Sequence, residues 1–255
     1  MKADMDQHFM VDHSLIKRIV KYSSLSGKDI VLEIGSGKGF LTRELVKYCR
    51  VIAVEKDESF GKELSKLGNP HKNLMVVFDN ALEVMKQFKF NKVVANIPYA
   101  LSEPLLRKLF RNQPDLVIIT VSKSFASKIT SKRFKIGLQT QLFFTVEVLE
   151  KVPRKAFLPR PKTDSAIVKL IPREEESFST TDIVLRFFTL QDDKKTKNAL
   201  RESLVNGLGL TKRKSKDTIS QLKLSDSVLE KNSDLLSFEE FSKLKNSLVK
   251  NLNKK

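Results

Sequence analysis

The chain has few of the residues that cross-link small proteins or bind metals. It has a single cysteine, Cys49, no tryptophan, and only three histidines, His8, His13 and His71. One cysteine excludes an internal disulfide framework and a cysteine-based zinc site, and the histidines lack metal-ligand spacing. We therefore expect Cys49 to be a small buried apolar residue, and we expect no metal.

Long apolar runs are also absent. No stretch approaches the roughly 20 residues that a membrane-spanning helix requires, and Met1 to Asp4 lack the apolar core of a signal peptide. The apolar content of 40% is nevertheless enough for a sizeable core. We expect a cytoplasmic protein without membrane contact, and a monomer is the working expectation.

Negative charge is scarce relative to positive charge. Lys and Arg total 47 against 30 Asp and Glu, which gives a net charge of +17. This excess suggests a polyanionic partner, with nucleic acid as the first candidate and an anionic membrane surface as the alternative. Any one basic run is more often a solvated face, but together the runs favour phosphate contacts. The cations predicted to bind RNA are Arg107, Lys108, Lys132, Arg133, Lys155, Arg160, Lys162, Lys195 and Arg201.

Short apolar strands alternate with helix-like segments through most of the chain. The predicted strands are residues 30–34, 51–55, 74–78, 93–95 and 116–121. This alternation predicts an α/β fold with an open, doubly wound, Rossmann-like sheet. Residues 137–148 are predicted to form a further helix. A proline-bearing loop then leads to a strand at residues 165–170, which we expect at a hairpin-like edge of the sheet.

The character of the sequence changes after Glu174-Glu175-Glu176. No strand pattern recurs there, and apolar residues follow helical spacing instead. We therefore divide the chain into an α/β domain at residues 1–175 and a small basic helical domain at residues 176–255.

A glycine-rich loop, Gly35 to Gly39, follows the first predicted strand and precedes a helix. Such a loop lets a ligand approach the backbone near a helix N-terminus. Phe40 stands where a dinucleotide fingerprint would have its third glycine, and the Gly-Lys-Ser/Thr of a phosphate loop is absent. The pattern Glu33-x-Gly35-x-Gly37 therefore suits a ligand without phosphates, such as S-adenosylmethionine.

Glu55 ends the second predicted strand, where an acid can bind both hydroxyls of a ribose. The plain structural alternatives are tight strand–helix packing for the glycines and helix capping for Glu55.

The fourth predicted strand ends in Asn96-Ile97-Pro98-Tyr99. The Asn96 side-chain oxygen can accept a hydrogen bond, and so can the Ile97 carbonyl, since Pro98 has a fixed φ and no N–H. Tyr99 can stack on a planar ring. The tetrapeptide is therefore suited to hold a base that bears an amino group. The plain alternative is a strand-ending turn with a buried tyrosine.

Several motifs, in this order along the chain, resemble those of the ribosomal RNA adenine N6-dimethyltransferases, in a form similar to the archaeal and eukaryotic branch. They are Gln7–Met10, Glu33–Gly37, Glu55, Asn80–Leu82, Asn96–Tyr99 and Ala156–Ser165. The resemblance covers nearly the whole chain, since Lys194 to Leu204 is similar to the basic helix of the family's helical tail.

The resemblance implies S-adenosylmethionine-dependent dimethylation of two adjacent adenines in the 3′-terminal hairpin of small-subunit rRNA, with a role in ribosome biogenesis. Residues 1–175 would be the methyltransferase domain, and residues 176–255 would contact RNA or the ribosome. The implied cofactor-binding residues are His8, Met10, Glu33, Gly35, Gly37, Glu55, Asn80 and Asn96. The implied catalytic residues are Asn96, Ile97, Pro98, Tyr99 and Phe157, with Phe157 covering the second face of the target base.

The chain departs from the family pattern at several positions. Asn80 stands where the family usually has Asp facing the cofactor's adenine, and the neighbouring Asp79 is a candidate to substitute for it. His8 replaces the usual Asn, and Ser36 replaces the usual Pro. The family's Gln and Glu after the fifth strand appear as Ser122 and Ser124.

Three other functions compete with this hypothesis. A large-subunit rRNA adenine methylase of the antibiotic-resistance type shares the motifs, although Asn96 and the lysine-rich tail favour the small-subunit enzyme. A non-catalytic RNA-binding assembly or transcription factor could use the same fold. A nicotinamide dehydrogenase is disfavoured by Phe40 and by the lack of a catalytic histidine near a strand end.

Overall fold

A computed structural model describes residues 7–68 and 70–252 of the 255-residue chain. The segment Met1 to Asp4, on which the absence of a signal peptide was judged, lies outside the described residues. Across the described part of the chain, no helix combines the length and apolarity needed to cross a bilayer. In the same residues, no group of three or more His, Cys, Asp or Glu side chains is placed to hold a metal ion.

The described strands form a large sheet and a short two-stranded ribbon. They are β1 (Phe9–Met10), β2 (Ile30–Ile34), β3 (Arg50–Glu55), β4 (Leu74–Phe78), β5 (Lys92–Asn96), β6 (Leu116–Ser122), β7 (Phe144–Val152), β8 (Phe157–Leu158) and β9 (Ser165–Pro172). The seven-stranded sheet has the order β4-β3-β2-β5-β6-β9-β7, and β1 pairs with β8. The pairs among β2 to β6 are parallel, whereas β6 and β9 are antiparallel.

This order confirms the predicted doubly wound sheet. The chain leaves β2 toward β3 and β4 on one side, then returns to place β5 and β6 on the other side. The carboxyl ends of β2 and β5 therefore meet at a topological switch point, where open α/β sheets form their ligand crevice. Val31, Leu32, Val93 and Val94 are fully buried, as expected for central parallel strands covered on both faces.

Helices connect the strands and make up the C-terminal part. They are α1 (His13–Tyr22), α2 (Phe40–Leu45), α3 (Gly61–Gly68), α4 (Ala81–Val84), α5 (Ser102–Arg111), α6 (Lys123–Thr130), α7 (Lys135–Phe143), α8 (Thr180–Thr189), α9 (Thr196–Leu208), α10 (Lys212–Gln221), α11 (Asp226–Glu230) and α12 (Phe238–Leu252). Asp12 caps α1 by accepting a 3.0 Å hydrogen bond from the Leu15 amide. Cys49 is buried as predicted, and burial raises the pKa of its thiol to about 11.

Two local predictions were wrong. The helix predicted at residues 137–148 ends at Phe143, and β7 begins at Phe144. The β-branched residues Thr145, Val146 and Val148 of β7 favour an extended backbone over a helical one. β9 was expected at the edge of the sheet, but it lies between β6 and β7, so β7 forms that edge.

The described residues divide into two compact units. The first contains the chain up to Ser127 together with Thr145–Pro172, and the second contains Lys128–Phe144 together with the chain from Arg173 onward. The predicted boundary at residue 175 lies close to the second junction. It places residues 128–144 in the first domain, however, whereas they pack with the C-terminal helices. The functions assigned to the two domains stay predictions.

Gly137, in the second unit, lies closely against the end of the preceding helix. A Cβ added at Gly137 would lie 2.0 Å from the Ser131 carbonyl oxygen and 2.4 Å from the Lys128 carbonyl oxygen. Both are backbone atoms that cannot rotate away. We expect Gly137→Ala to lower the free energy of unfolding by about 3 kcal/mol or more. Urea titration measures this loss. Gly27→Ala is the matched control because a Cβ there meets nothing within 4 Å, and equal stability of the two variants would refute the packing argument.

Candidate active site

An open cavity lies at the switch point of the first unit. It encloses about 540 Å³ of empty space including its mouth. It is lined by Gln7, His8, Phe9, Gly35, Gly37, Glu55, Phe60, Asn96, Ile97, Pro98, Tyr99 and Phe157. A second cavity of about 350 Å³ adjoins it and shares Phe9, Gly35 and Asn96 as lining residues. Most of the predicted cofactor and catalytic residues are thus brought together.

The glycine loop exposes its backbone to these cavities. Gly35 and Gly37 have φ angles of +72° and +50°, which side chains rarely adopt. A Cβ at Gly37 would lie 2.7 Å from the Phe9 ring, and one at Gly35 would lie 3.4 Å from Pro98. The ring of Phe9 therefore packs directly on the loop, and glycine is required at position 37 by both conformation and space.

Glu55 is held in place by three backbone amides. One carboxylate oxygen accepts a 2.7 Å hydrogen bond from Gly37, and the other accepts bonds of 2.8 and 3.0 Å from Lys56 and Asp57. A carboxylate oxygen has about two lone-pair sites, so the oxygen bound only by Gly37 can still accept a hydroxyl, whereas the other already accepts two bonds. Glu55 is thus a fixed acceptor at the wall of the larger cavity.

Glu33 and Ser36 supply two buried oxygens to the second cavity. Glu33 is only 1% exposed, and neither its Oε2 nor the Ser36 hydroxyl has a hydrogen-bond partner among the described residues. Burial raises the pKa of Glu33 to about 8, the donors of Thr42 oppose that rise, and the charge of Glu55 adds to it. An unpaired buried acid is costly, so this one is suited to a ligand that brings a cation with N–H donors.

The orientation of the Asn96 amide is defined by His8. Asn96 Nδ2 donates a 3.1 Å hydrogen bond to the His8 carbonyl oxygen. A carbonyl only accepts, so the amide nitrogen must face it, and Oδ1 is left as the acceptor. The Ile97 carbonyl receives no hydrogen bond from the described residues. Two acceptors on neighbouring residues therefore border the larger cavity.

The two aromatic residues predicted to sandwich a base differ in their surroundings. The Tyr99 hydroxyl is 2.6 Å from the Ser165 hydroxyl, and its ring is tilted by 44° to the His8 ring at a centroid distance of 6.0 Å. Phe157 borders the cavity but is only 2% exposed and packs with the apolar core. Its predicted role in covering the target base stays a prediction.

Two predicted cofactor residues have other surroundings. Met10 is buried in the core and borders only the second cavity. Asn80 is the N-cap of α4, accepting a 3.0 Å hydrogen bond from the Leu82 amide, and it does not line either cavity. The neighbouring Asp79 carboxylate accepts a hydrogen bond of 2.6 Å from the Asn80 amide. A contact of Asn80 or Asp79 with a cofactor stays a prediction.

Sequence reasoning missed the packing around Phe9 and the hydrogen-bond contacts of His8. The Phe9 ring meets the Phe60 ring edge-on at 5.5 Å, and the Lys38 ammonium lies 5.2 Å from its centre. The His8 ring nitrogen Nδ1 lies 3.0 Å from the Pro159 carbonyl oxygen. These contacts join residues up to 151 positions apart, and no local pattern could have indicated them.

Some of the predicted RNA-binding cations are already paired. Arg107 pairs with Glu103 at 2.7 Å, Lys108 with Glu83 at 3.6 Å, and Lys195 with Glu230 at 2.9 Å. Such exposed pairs are weak and can be exchanged for phosphate. No ion pair within the described chain involves Lys132, Arg133, Lys155, Arg160, Lys162 or Arg201.

The chemistry of the two cavities fits S-adenosylmethionine. The unpaired Glu33 Oε2 matches the ammonium of the methionine tail, and the Lys38 side chain, in the same cavity, matches its carboxylate. The fixed Glu55 carboxylate matches a ribose hydroxyl. The glycine backbone, with no side chain in the way, runs between the two cavities. No phosphate-binding set of donors is required by such a ligand.

The chain matches a family model described as ribosomal RNA adenine dimethylase over residues 1–244. It is 31% identical to the probable ribosomal RNA small subunit methyltransferase A of Methanococcus aeolicus, with 98% of this chain and 97% of the relative covered. A similar relative from Methanosarcina barkeri is 32% identical, with coverage of 96% and 86%.

Solved structures agree with these relatives. A dimethyladenosine transferase from Plasmodium falciparum has a TM-score of 0.65 and 27% identity, with coverage of 96% of this chain and 98% of that one. The 23S rRNA methyltransferase ErmE shares the fold with a TM-score of 0.61 at 24% identity, with coverage of 94% and 99%. The chain therefore belongs to the ribosomal RNA adenine dimethylase family of S-adenosylmethionine-dependent methyltransferases.

Proposed function

We propose that the protein dimethylates the N6 amines of two adjacent adenines in the 3′-terminal hairpin of small-subunit rRNA during ribosome biogenesis. The observation that carries the proposal is the Asn96 amide, whose nitrogen is occupied by the His8 carbonyl so that Oδ1 remains as an acceptor beside the Ile97 carbonyl. Support for the small subunit comes from the names of the Methanococcus and Methanosarcina relatives. The cytoplasm, where ribosomes would meet the enzyme, is the proposed location.

Four residues would hold the cofactor. Gly35 and Gly37 would line it with bare backbone, Glu55 would accept a hydrogen bond from its ribose, and Glu33 would face its ammonium group. Bound S-adenosylmethionine supplies an electrophilic methyl group on a sulfonium. Everything else at the site positions the adenine amine and accommodates the charge that develops on it.

The two acceptors act on the amine nitrogen. Its lone pair is delocalised into the adenine ring, so the nitrogen is planar and weakly nucleophilic. Hydrogen bonds from N6 to Asn96 Oδ1 and to the Ile97 carbonyl favour a pyramidal nitrogen with its lone pair directed away from the ring system. The same oxygens stabilise the positive charge that appears during transfer. Orientation by fixed groups supplies much of the remaining acceleration.

No side-chain base is required to complete the reaction. A methylated, positively charged amine is acidic, so it loses its proton to water through the open mouth of the cavity. Tyr99, whose hydroxyl is held by Ser165, would present its ring to one face of the adenine. The amine can then be presented again for the second transfer with its remaining proton on one of the two acceptors.

The exposed cations near the cavity would bind RNA phosphates. Lys155, Arg160 and Lys162 flank the segment that carries Phe157, and they are exposed. Lys132, Arg133, Lys195 and Arg201 would contact RNA from the second unit. Each phosphate contact releases condensed counterions, so RNA affinity would fall steeply with salt.

The proposal is tested on separated ribosomal subunits that lack adenine methylation. Each is incubated with the protein and methyl-labelled S-adenosylmethionine, and the rRNA is digested and mapped by mass spectrometry. We expect N6,N6-dimethyladenosine at two neighbouring positions in the 3′-terminal fragment of the small-subunit rRNA. Label confined to the large subunit would contradict the proposed target, and absence of label from both would contradict the proposed activity.

A further inference from the structure

Leu158 is the most exposed large apolar side chain of the described residues in the first unit, with 65% of its surface accessible. It follows Phe157 directly, in the short strand β8 that borders the active site. We propose that Leu158 inserts into the rRNA base stack and occupies the space that the target adenine leaves when it turns into the cavity. This inference rests on the proposed rRNA substrate and adds a substrate-contacting residue to it.

The pairing of β1 with β8 places Leu158 on the same face of the ribbon as Phe9. Phe9 lies opposite Leu158, and Met10 lies opposite Phe157. Opposite residues of an antiparallel pair share a face, and successive residues alternate. Met10 and Phe157 are buried in the core, whereas Phe9 is only half-buried. Leu158 therefore shares its face with the ring that packs on the glycine loop.

The backbone that carries Leu158 is tied to the catalytic amide. The Val11 amide donates a 2.9 Å hydrogen bond to the Ala156 carbonyl at the end of the ribbon. The His8 ring contacts the Pro159 carbonyl oxygen. The His8 carbonyl oxygen accepts the hydrogen bond from the Asn96 side chain. One residue thus connects the segment at Leu158 with Asn96. A backbone restrained in this way loses little further conformational entropy on binding.

The surroundings of Leu158 match a nucleic acid. Lys155, Arg160 and Lys162 lie within four positions of it, all three are exposed, and none has an ion pair among the described residues. An apolar group bordered by free cations is complementary to a chain that presents base faces between phosphates. Side chains of this type act as wedges between base steps in other nucleic-acid complexes. A base taken out of its stack leaves a gap that such a wedge can fill.

The test compares four variants on a hairpin RNA with the sequence of the small-subunit 3′ end. Leu158→Ala removes the wedge, Leu158→Asp adds repulsion from phosphate, and Leu158→Met restores an apolar side chain. Leu235→Ala is the matched control because Leu235 is 64% exposed and belongs to the second unit. Full-length protein is used throughout. The thermal shift produced by S-adenosylmethionine verifies that each variant is folded and binds the cofactor.

Two readouts distinguish insertion from a general effect. The first is kcat/KM for RNA, which we expect to fall about tenfold in Leu158→Ala, further in Leu158→Asp, and to recover in Leu158→Met. The second is the fluorescence of 2-aminopurine placed beside the target adenine, which increases when that base loses its stacking neighbour. With S-adenosylhomocysteine present, the increase should be halved or less in Leu158→Ala and unchanged in Leu235→Ala.

The outcomes separate this inference from the proposed function. Wild-type protein that transfers no methyl to small-subunit RNA contradicts the proposed function, and the fluorescence comparison still tests Leu158. Leu158→Ala with wild-type transfer and wild-type fluorescence overturns the role of Leu158 alone. Reduced transfer with an unchanged fluorescence increase also overturns it, because the side chain then contributes without entering the stack.

Discussion

Asn96→Ala should reduce methyl transfer to rRNA by about a hundredfold to a thousandfold, the range observed when one fixed polar group that stabilises developing charge is removed. The variant loses one of the two acceptors for the adenine amine. It also loses the bond to the His8 carbonyl, which is one neutral hydrogen bond and costs about 1 kcal/mol of stability. The effect should fall on kcat, since the lost interaction strengthens as the nitrogen becomes charged.

The binding of S-adenosylmethionine provides the internal control for this variant. We expect its dissociation constant to change by less than about fivefold, because Glu33, Glu55 and the glycine loop are intact. Asn112→Ala changes an exposed asparagine at the end of α5 and should leave transfer unaltered. Single-turnover transfer with labelled cofactor measures the rate. Turnover near the wild-type level in Asn96→Ala would show that the Asn96 amide has no role in methyl transfer.

Glu33→Gln should weaken S-adenosylmethionine binding by about tenfold to a hundredfold and remove its pH dependence. In the free protein, burial raises the pKa of Glu33 to about 8, so the group is mostly protonated at pH 7. An ammonium bound beside it favours the carboxylate, so binding should release close to one proton at pH 7. Wild-type affinity should therefore rise as the pH goes from 6 to 8.

Calorimetry in buffers of different ionisation enthalpy measures the released proton. Glu63→Gln, at an exposed position of α3, is the control that should behave as wild type. Proton release that is the same in Glu33→Gln and in wild type would show that another group titrates. Affinity that is independent of pH between 6 and 8 in the wild type would exclude a buried protonated acid at the site.

The raised pKa of Glu33 also predicts that Glu33→Gln is more stable than wild type, although the variant binds the cofactor less tightly. A carboxyl whose pKa is higher in the folded state than in the unfolded state stabilises the fold fully only below the unfolded value of 4.5. That contribution is lost as the pH rises toward 8. Without cofactor, Glu33→Gln should therefore be more stable than wild type at pH 8 by an amount on the order of a few kcal/mol. Glu33 thus lowers the stability of the cofactor-free protein but strengthens ligand binding, as residues at functional sites often do.

The parts of the fold that sequence reasoning predicted well are those with strong local signals. β2 and β5 are short and rich in β-branched apolar residues; the glycine loop directly follows β2, and Asn96 ends β5. Residues 137–148 failed because two periodicities overlap there, so that Leu138 and Leu142 have helical spacing while the following valines alternate. The edge position of β7 depends on its pairing with β9 and could not be inferred locally.

The site was predictable as a set of residues but only in part as a geometry. Motif order identified Glu33, Glu55 and Asn96, and the observed strand order brings them to the switch point of the sheet. The orientation of the Asn96 amide depends on His8, which is 88 residues away in the chain. The burial of Phe157 and the capping role of Asn80 likewise depend on tertiary packing. Contacts of this kind are decided by the whole fold and leave no periodic signal.

The most direct test of the central claim is the position of the adenine amine in a crystal structure with an adenine nucleoside and S-adenosylhomocysteine bound. We expect its N6 to lie about 3 Å from both Asn96 Oδ1 and the Ile97 carbonyl oxygen, on the side of the ring that faces the sulfur. An N6 atom that contacts neither oxygen, or an Asn96 side chain turned out of the cavity, would contradict the proposed mechanism.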